Sequence, residues 1–281
     1  ETTDQADWEE LTRSRVRELR SNLQYSHNID LLTVVAGAQW YFADSERVED
    51  SLLIDNSDGL LADLGRRLRS GSDNALNSQD AYLYTTWHVN PWIDVGAGVD
   101  FTHLELEDRE IAPFFDDTVS RSRWNPKVGI TAYPTAALTL RAAYFESLRK
   151  SNLEDVATLE PTLIGGINQR FTDLSGVASQ NWGLGVDYKW AKQTYLGVEA
   201  TMRKLQERQN DAASLLEFDF GTLSSSLIRE IVLRETTHNT QDILRAYLYQ
   251  VLGSDFVGTF DYEYYLSENT HPDVGLEFDL H

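Results

Sequence analysis

The sequence has no cysteine among its 281 residues and only a single methionine. Without cysteine, the protein cannot form disulfides, bind iron–sulfur clusters or hold zinc through thiolates. It also has no run of 18 or more apolar residues, which excludes a membrane-spanning helix. Basic residues are scarce, because 24 lysines and arginines stand against 45 aspartates and glutamates, for a net charge of −21. A nucleic-acid partner is therefore not expected, since phosphate binding requires a basic surface.

What the sequence does contain is a series of segments in which apolar residues recur at every second position. In the first clear segment Val34, Ala38 and Trp40 share one parity, whereas Gln39 falls on the other. The same alternation recurs in three later segments, at 93–101, 138–144 and 184–190. Apolar alternation with period two predicts β-strands that bury one face.

The connections between these segments are short and long in turn. The short ones are the tight turns Asn90–Trp92, Pro134–Ala136, Ala191–Gln193 and Gly253–Ser254. The long ones are charged stretches near 44–80, 107–122, 147–181 and 206–240. Short turns at one rim and long loops at the other are typical of β-barrels of the bacterial outer membrane. The pattern therefore predicts an all-β fold, a transmembrane antiparallel up-and-down β-barrel of about 12–16 strands.

Aromatic residues gather at both ends of the predicted strands. Trp92 and Trp190 adjoin short turns, whereas Trp40, Trp124 and Tyr264 lie near the long loops. Two aromatic belts are typical of a membrane-spanning barrel, because indole and phenol rings favour the interface between lipid and water. A soluble β protein, in which the apolar parity forms a buried core, is the alternative.

The two ends of the chain complete the predicted organisation. Residues 1–14 are predicted as an N-terminal arm and residues 15–281 as the barrel. A first strand at 15–26 and a last strand at 271–280 would run in the same direction, which gives an odd number of strands. Because single-chain bacterial barrels have even numbers, we expect the chain to be part of a larger barrel. Residues 273–280 fit either an ordinary strand or the signal by which the barrel-assembly machinery recognises a last strand.

Two stretches carry helical features within this strand pattern. Residues 7–24 show both a helical stripe and a strand alternation, and we favour the strand. In the loop 44–80, an aspartate cap at Asp58, spaced leucines and Gly71 predict a short amphipathic helix. Such a helix would either fold into the pore as a constriction or pack on the barrel rim.

Several motifs resemble barrel segments of TonB-dependent outer-membrane receptors. Arg123–Ile130, Tyr133–Thr135 and Leu138–Tyr144 resemble a mid-barrel hairpin of that family. Leu159–Thr162 resembles its loop motif, and Trp182–Tyr188 resembles the strand that follows. The motifs occur in the same order as in the family, so the resemblance implies an outer-membrane barrel.

The resemblance spans roughly residues 120–205. Members of that family also carry a plug domain, a TonB-contact box and a barrel larger than this chain can supply, and the sequence shows neither plug nor box. The same hairpin pattern is similar to that of polysaccharide-exporting porins, whose tetratricopeptide repeats lie in the periplasm, and no such repeats are visible. The sequence therefore does not support active TonB-driven uptake.

Recognisable catalytic motifs are absent from the sequence. It holds no HExxH, nucleophile elbow, phosphate loop or dinucleotide fingerprint, so neither an enzymatic activity nor a cofactor is predicted. An outer-membrane hydrolase would require an acid–base cluster at the rim, where Asp116, Asp117 and His103 are the candidates. Asp116 and Asp117 are also weak candidates for binding Ca²⁺, although a solvated outer loop is the simpler interpretation.

Polar residues on the second parity are the candidates for function. They are expected to line the lumen and comprise Gln39, Asp94, Asp100, Lys127, Thr131, Arg141, Asp187, Lys189, Glu199 and Arg203. A lumen of both charges either conducts a polar solute or is cross-braced by ion pairs. The first hypothesis is a porin-like outer-membrane channel or transporter that passes a polar solute or polymer. The alternative is a non-conducting barrel that serves as an anchor or scaffold for partner proteins.

The predicted barrel also defines the partners that we expect. Outer-membrane lipid would cover the apolar parity of the strands. The barrel-assembly machinery would insert the chain, and periplasmic or additional barrel segments would complete it.

Overall fold

The computed structural model describes residues 6–55, 66–111, 114–149, 160–169, 176–191, 193–219, 224–253 and 256–270. The strands are β1 (Ala6–Ile29), β2 (Leu32–Asp55), β3 (Arg66–Asn90), β4 (Ile93–Ile111), β5 (Phe114–Thr135), β6 (Leu138–Leu148), β7 (Leu163–Ile164), β8 (Ile167–Asn168), β9 (Ala178–Ala191), β10 (Thr194–Asp219), β11 (Ser224–Leu252) and β12 (Phe256–Thr270). Within the described residues, no helix is long and apolar enough to span a membrane.

Ten of these strands form one antiparallel up-and-down sheet. Its order is β1-β2-β3-β4-β5-β6-β9-β10-β11-β12, and β7 and β8 pair only with each other as a separate hairpin. β1 and β12 stand at the two edges, so the described sheet is not closed. The all-β up-and-down architecture is confirmed, whereas the described sheet has ten strands rather than the predicted number of about 12–16.

Several strands of the described sheet are longer than a bilayer crossing requires. β10 and β11 contain 26 and 29 residues, and their pairing runs from Thr194↔Gln250 to Asp219↔Ser224. A membrane crossing needs only about 9–11 residues of tilted strand. The ladder therefore continues through sequence whose charge predicted a long outer loop.

The predicted long loops divide into two kinds. The predicted loops 107–122 and 206–240 are almost entirely strand, because β5 begins at Phe114 and β11 begins at Ser224. The predicted loop 147–181 remains a long connection between β6 and β9, and the β7–β8 hairpin is part of it.

The predicted arm and the predicted helix also differ from the structure. β1 begins at Ala6, so most of the arm predicted over 1–14 is strand. The end of the helix predicted in the loop 44–80 lies in β3, which includes Gly71. Strand pairing excludes a helix in that part, and the rest of the predicted helix, 58–64, lies outside the described residues.

The short turns are confirmed to within a residue or two. The hairpins close between Asn90 and Ile93, Thr135 and Leu138, Ala191 and Thr194, and Leu252 and Phe256. The turn between β1 and β2 centres on Asp30, whose φ of 47° is in the left-handed region that a short polar side chain tolerates. The predicted last strand at 271–280 lies outside the described residues.

The chain divides into two compact units. The first comprises Glu1–Ser21, Trp40–Gln79 and His103–Arg121, and the second comprises Asn22–Gln39, Asp80–Thr102 and Ser122–His281. In the first unit Tyr41 and Leu104 are buried, whereas Trp40 and Phe42 are exposed. The strands of this unit therefore alternate between a buried face and an exposed face, as period two requires.

The second unit holds a cluster of buried apolar side chains. Its members are Tyr82, Tyr84, Ala143, Phe145, Ile164 and Ile167. Because Ile164 and Ile167 come from β7 and β8, the small hairpin packs against the sheet of its own unit. We call the face on which it packs the inner face of the second unit, and the opposite one the outer face.

Candidate functional site

The outer face of the second unit is apolar and exposed. Leu184 is 66% exposed and Trp190 is 73% exposed. Other large apolar side chains exposed on this face are Val128, Ile130, Leu140, Val186, Val198 and Leu244. A groove of about 910 Å³ on this face is lined almost wholly by such side chains. An exposed apolar surface of this extent is typical of a face that contacts lipid or another protein.

The inner face, in contrast, buries polar and charged side chains. Asp100, Lys127 and Arg203 are each at most 4% exposed, and Asn125 and Thr102 are fully buried. A soluble protein has the opposite distribution, because charged side chains are rarely buried unless they are paired. An apolar outer face and a polar inner face on the same strands are typical of the wall of a membrane barrel.

Residues 160–169, which contain β7 and β8, form an inward hairpin against this polar face. Ile167 is completely buried. The turn consists of Gly165 and Gly166, whose φ values of 53° and 77° favour glycine. The hairpin approaches β5 so closely that a Cβ on Gly129 would lie 2.6 Å from the Cα of Gly165. Backbone therefore packs on backbone at this point.

A buried charge cluster around Lys127 holds both ends of the inward hairpin. The Lys127 ammonium lies 2.7 Å from Glu160 and donates to the side-chain oxygen of Gln169 at 2.8 Å. It also lies 2.8 Å from Asp100, a wall residue on β4. The Tyr84 hydroxyl donates to Glu160 as well. One cation thus satisfies two carboxylates, and the hairpin is fastened to the wall where it starts and where it ends.

A second cluster around Arg141 holds the tip of the hairpin. The guanidinium donates to the backbone oxygen of Gly166 at 2.6 Å. It also pairs with Asp187 at 2.7 Å and with Glu199 at 3.0 Å. The Tyr247 hydroxyl donates to the same Asp187 carboxylate. The tip is therefore bound by a charge-assisted hydrogen bond, which is stronger than a neutral one.

Further polar contacts cross-link the wall beside the hairpin. Arg203 donates to Asn181 at 2.9 Å and to Gln241 at 3.0 Å, which joins β10 to the strands on both sides. At the end near the short turns, Asp94 lies 2.7 Å from the Nδ1 of His88 and 3.3 Å from the hydroxyl of Tyr133. The inner face is therefore braced by polar contacts along its length.

All ten predicted lumen-lining residues have the parity of the inner face. The structure brings Asp100 and Lys127 into the first cluster, and Arg141, Asp187 and Glu199 into the second. The other five are distributed along the same face: Gln39, Asp94, Thr131, Lys189 and Arg203. Lys189 is exposed, with its ammonium 5.4 Å from the centre of the Tyr195 ring. Because the described sheet is not closed, their role as lumen-lining residues stays a prediction.

The sequence reasoning missed the residues by which the hairpin itself is held. In the sequence Glu160 stands out only as part of the family-like motif Leu159–Thr162, and nothing in the sequence marks Tyr84 or Gln169 as its companions. A buried acceptor cannot be distinguished from a solvated loop residue when its partner lies 33 positions away, as Lys127 does from Glu160. The one available signal was the proline and glycine content of the segment.

The two predicted calcium ligands lie near the start of β5. The side chains of Asp116 and Asp117 lie outside the part of the chain whose side chains are described. In the described part, no group of three or more His, Asp or Glu residues is arranged to hold a metal ion. His103 contacts Glu105 at 3.5 Å.

The fold of the chain resembles that of several solved structures. The chain resembles the ferric citrate transporter FecA over 93% of its own length and 37% of that chain, with 13% identity and a TM-score of 0.56. It resembles the ferric yersiniabactin uptake receptor FyuA from Yersinia pestis over 94% and 37%, with 14% identity and a TM-score of 0.56. The sheet has the fold of part of a TonB-dependent receptor barrel.

A further solved structure shows how far the resemblance extends. The siderophore receptor PiuA from Acinetobacter baumannii gives a TM-score of 0.57 at 14% identity, over 93% of this chain and 39% of that one. The chain thus spans less than two fifths of the length of these receptors. No protein-family model and no curated protein matches the sequence. The resemblance to a TonB-dependent barrel is confirmed at the level of the fold.

Proposed function

We propose that the chain is part of an outer-membrane β-barrel that passes a polar solute across the bacterial outer membrane. The observation that carries this proposal is the opposite chemistry of the two faces of the second unit. Its outer face exposes Leu184 and Trp190, whereas its inner face buries Lys127 and Arg203. Lipid would cover the apolar outer face, and the polar inner face would line a path for the solute.

The fold supports the same proposal. The solved structures that the chain resembles are named as uptake receptors or transporters, for ferric citrate, ferric yersiniabactin or copper. They contain more chain than this one, so we propose that additional barrel segments complete the wall beside β1 and β12. Outer-membrane lipid and the barrel-assembly machinery are the other proposed partners. The proposed role is accordingly transport and not an enzymatic activity.

A second candidate function has its own observation. The inward hairpin is fastened at three points to the inner face, by Glu160, Gln169 and the backbone oxygen of Gly166. A barrel whose interior is filled by its own chain would not conduct, and it would serve as an anchor or scaffold for partner proteins. The fastened hairpin favours this alternative, whereas the polar inner face beside it favours the solute path.

The test of membrane insertion compares two leucine-to-arginine variants. Leu184 lies in the middle of β9, and Leu252 is the last residue of β11 beside a short turn; both are exposed on the outer face. In phospholipid vesicles, Leu184→Arg is expected to lower the free energy of unfolding by about 2–4 kcal/mol, and Leu252→Arg by about 0–1 kcal/mol. Urea unfolding followed by tryptophan fluorescence measures both. Equal small effects would mean that the outer face does not contact lipid.

Conductance then separates the two candidate functions. In planar bilayers, a solute path predicts stepwise ion currents from the protein inserted together with the barrel segments that complete its wall. A filled barrel predicts insertion without current. Heat-modifiable gel mobility of the same sample shows whether a folded barrel was inserted, so an absence of current can be assigned to the alternative.

A further inference from the structure

A cavity of about 300 Å³ lies between the inward hairpin and the wall of the second unit. On the wall side it is bounded by the inner faces of β2 to β5. On the other side Pro161 and the Gly165–Gly166 turn cover it. Because the hairpin is fastened at three points, the cavity is a fixed feature of the fold. Its volume is at the small end of the range of ligand sites.

The lining of the cavity combines hydroxyl-bearing residues with apolar residues and glycines. Thr33, Thr86 and Thr131, which carry hydroxyls, line it together with Asp94, which carries a carboxylate, and with Tyr84. Among the described residues that line it, none is a lysine or an arginine. The Asp94 carboxylate is already in contact with His88 and Tyr133, and each oxygen retains a further lone pair. The lining therefore offers many hydrogen bonds and no cation to bind an anion.

One glycine of the lining faces open space. A Cβ on Gly98 would collide with the ring of Tyr84, so that position is filled by the wall itself. A Cβ on Gly96, in contrast, would meet nothing closer than two backbone oxygens at 3.9 Å. The space next to Gly96 is therefore part of the cavity, and no side chain of the wall fills it. A larger side chain at this position would occupy the cavity without straining the sheet.

We propose that this cavity binds a small neutral solute rich in hydroxyl groups, of about the size of a monosaccharide. Such a solute both donates and accepts hydrogen bonds, which suits the three threonine hydroxyls and the carboxylate, and its C–H groups suit the apolar residues of the lining. An anion would find no positive partner in the lining, and a cation would have to compete with His88 and Tyr133 for the Asp94 carboxylate. The proposal deepens the proposed function, on which it rests, because it names the class of polar solute.

The test uses glucose, glucosamine and glucuronate as probes, which share one ring and differ in charge. Saturation-transfer NMR on the full chain in phospholipid nanodiscs is expected to detect glucose with a dissociation constant on the order of 1 mM, typical of a ligand of this size. Glucuronate is expected to bind at least tenfold more weakly. Gly96→Leu should abolish glucose binding, because its side chain fills the cavity.

Two further variants make the test decisive. Gly258→Leu is the matched control, because Gly258 also has open space around its Cβ and lies on β12, away from the cavity; it should leave glucose binding unchanged. If Gly96→Leu fails to fold, Thr131→Val keeps the shape and removes one hydroxyl, and it should weaken glucose binding. Glucose binding that survives both cavity variants would overturn the proposal, as would glucuronate or glucosamine binding more tightly than glucose.

A failure of the cavity proposal can be distinguished from a failure of the proposed function. A chain that inserts into lipid and shows the expected loss of stability in Leu184→Arg, but binds no glucose, overturns only the cavity proposal. A chain whose outer face does not contact lipid overturns the proposed function, whatever the probes do.

Discussion

Two stretches that the charge pattern predicts as outer loops, 147–181 and 206–240, fold in opposite ways. The second continues the ladder of β10 and β11 without interruption of the pairing, apart from a register shift between Leu215 and Leu216. The first leaves the sheet after β6 and returns as a hairpin fastened to the inner face. Both lie in the same unit and both are charged, so charge does not decide between the two outcomes.

Backbone chemistry accounts for the difference. Between 147 and 181 the sequence has Pro161, the pair Gly165–Gly166 and Gly176. The ladder of β6 and β9 ends beside Gly176, which adopts a positive φ and bonds to Arg149, and the hairpin that follows Pro161 turns at Gly165 and Gly166. Between 206 and 240 there is no proline and a single glycine, and the ladder persists. In these two segments, proline and glycine residues, and not the charge of the sequence, distinguish the connection that leaves the sheet from the one that continues the ladder.

The largest expected effect comes from removing the cation that fastens the hairpin. Lys127→Met would leave Glu160 and Asp100 buried without a cation, which should lower the free energy of unfolding by about 3–5 kcal/mol. Urea unfolding in vesicles measures it. The control is Lys189→Met, because Lys189 is exposed, and its effect should be within about 0.5 kcal/mol.

A compensated variant checks the cause of that effect. Adding Glu160→Gln and Asp100→Asn to Lys127→Met removes the unpaired charges and should recover part of the lost stability. If the compensated variant is no more stable than Lys127→Met alone, the buried charges are not the reason for the loss.

An intermediate effect is expected where the hairpin touches the wall. Gly129→Val introduces a β-branched side chain where even a Cβ would lie 2.6 Å from Gly165. The substitution should displace the hairpin at a cost of about 1–3 kcal/mol and make residues 160–169 accessible to protease. Gly258→Val, with nothing closer than 3.8 Å to its Cβ, is the matched control. An unchanged cleavage rate would show that the contact does not hold the hairpin.

The smallest effect is expected from shortening the extended ladder. Replacing residues 209–235 by Asn-Gly would join Arg208 and Thr236, which are paired, through a two-residue turn. The free energy of unfolding should change by less than about 1 kcal/mol, because a shorter connection costs little chain entropy to close. A loss comparable to that of Lys127→Met would contradict the distinction between the ladder and the fastened hairpin.

The strands of the wall could be predicted well from sequence. Alternation identified the strand cores, and tight turns such as Asn90–Trp92 placed the hairpins to within two residues. The arm predicted over 1–14 and the end of the predicted helix near Gly71 proved to be strand, because a short stretch fits both periods until its pairing partner is known. The ten inner-face candidates share the predicted parity, but their grouping into clusters could not be predicted.

The sequence by itself determined the strand alternation, the side of each strand that is apolar and the positions of the tight turns, because each depends on residues close together in the chain. Only the tertiary structure decided which charges meet. Lys127 reaches Glu160 across 33 positions, and Arg141 reaches Glu199 across 58. The tertiary structure also decided that the charged connection 147–181 packs on the inner face. Burying the Glu160 carboxylate costs free energy, and contacts with Lys127 and Tyr84 offset that cost.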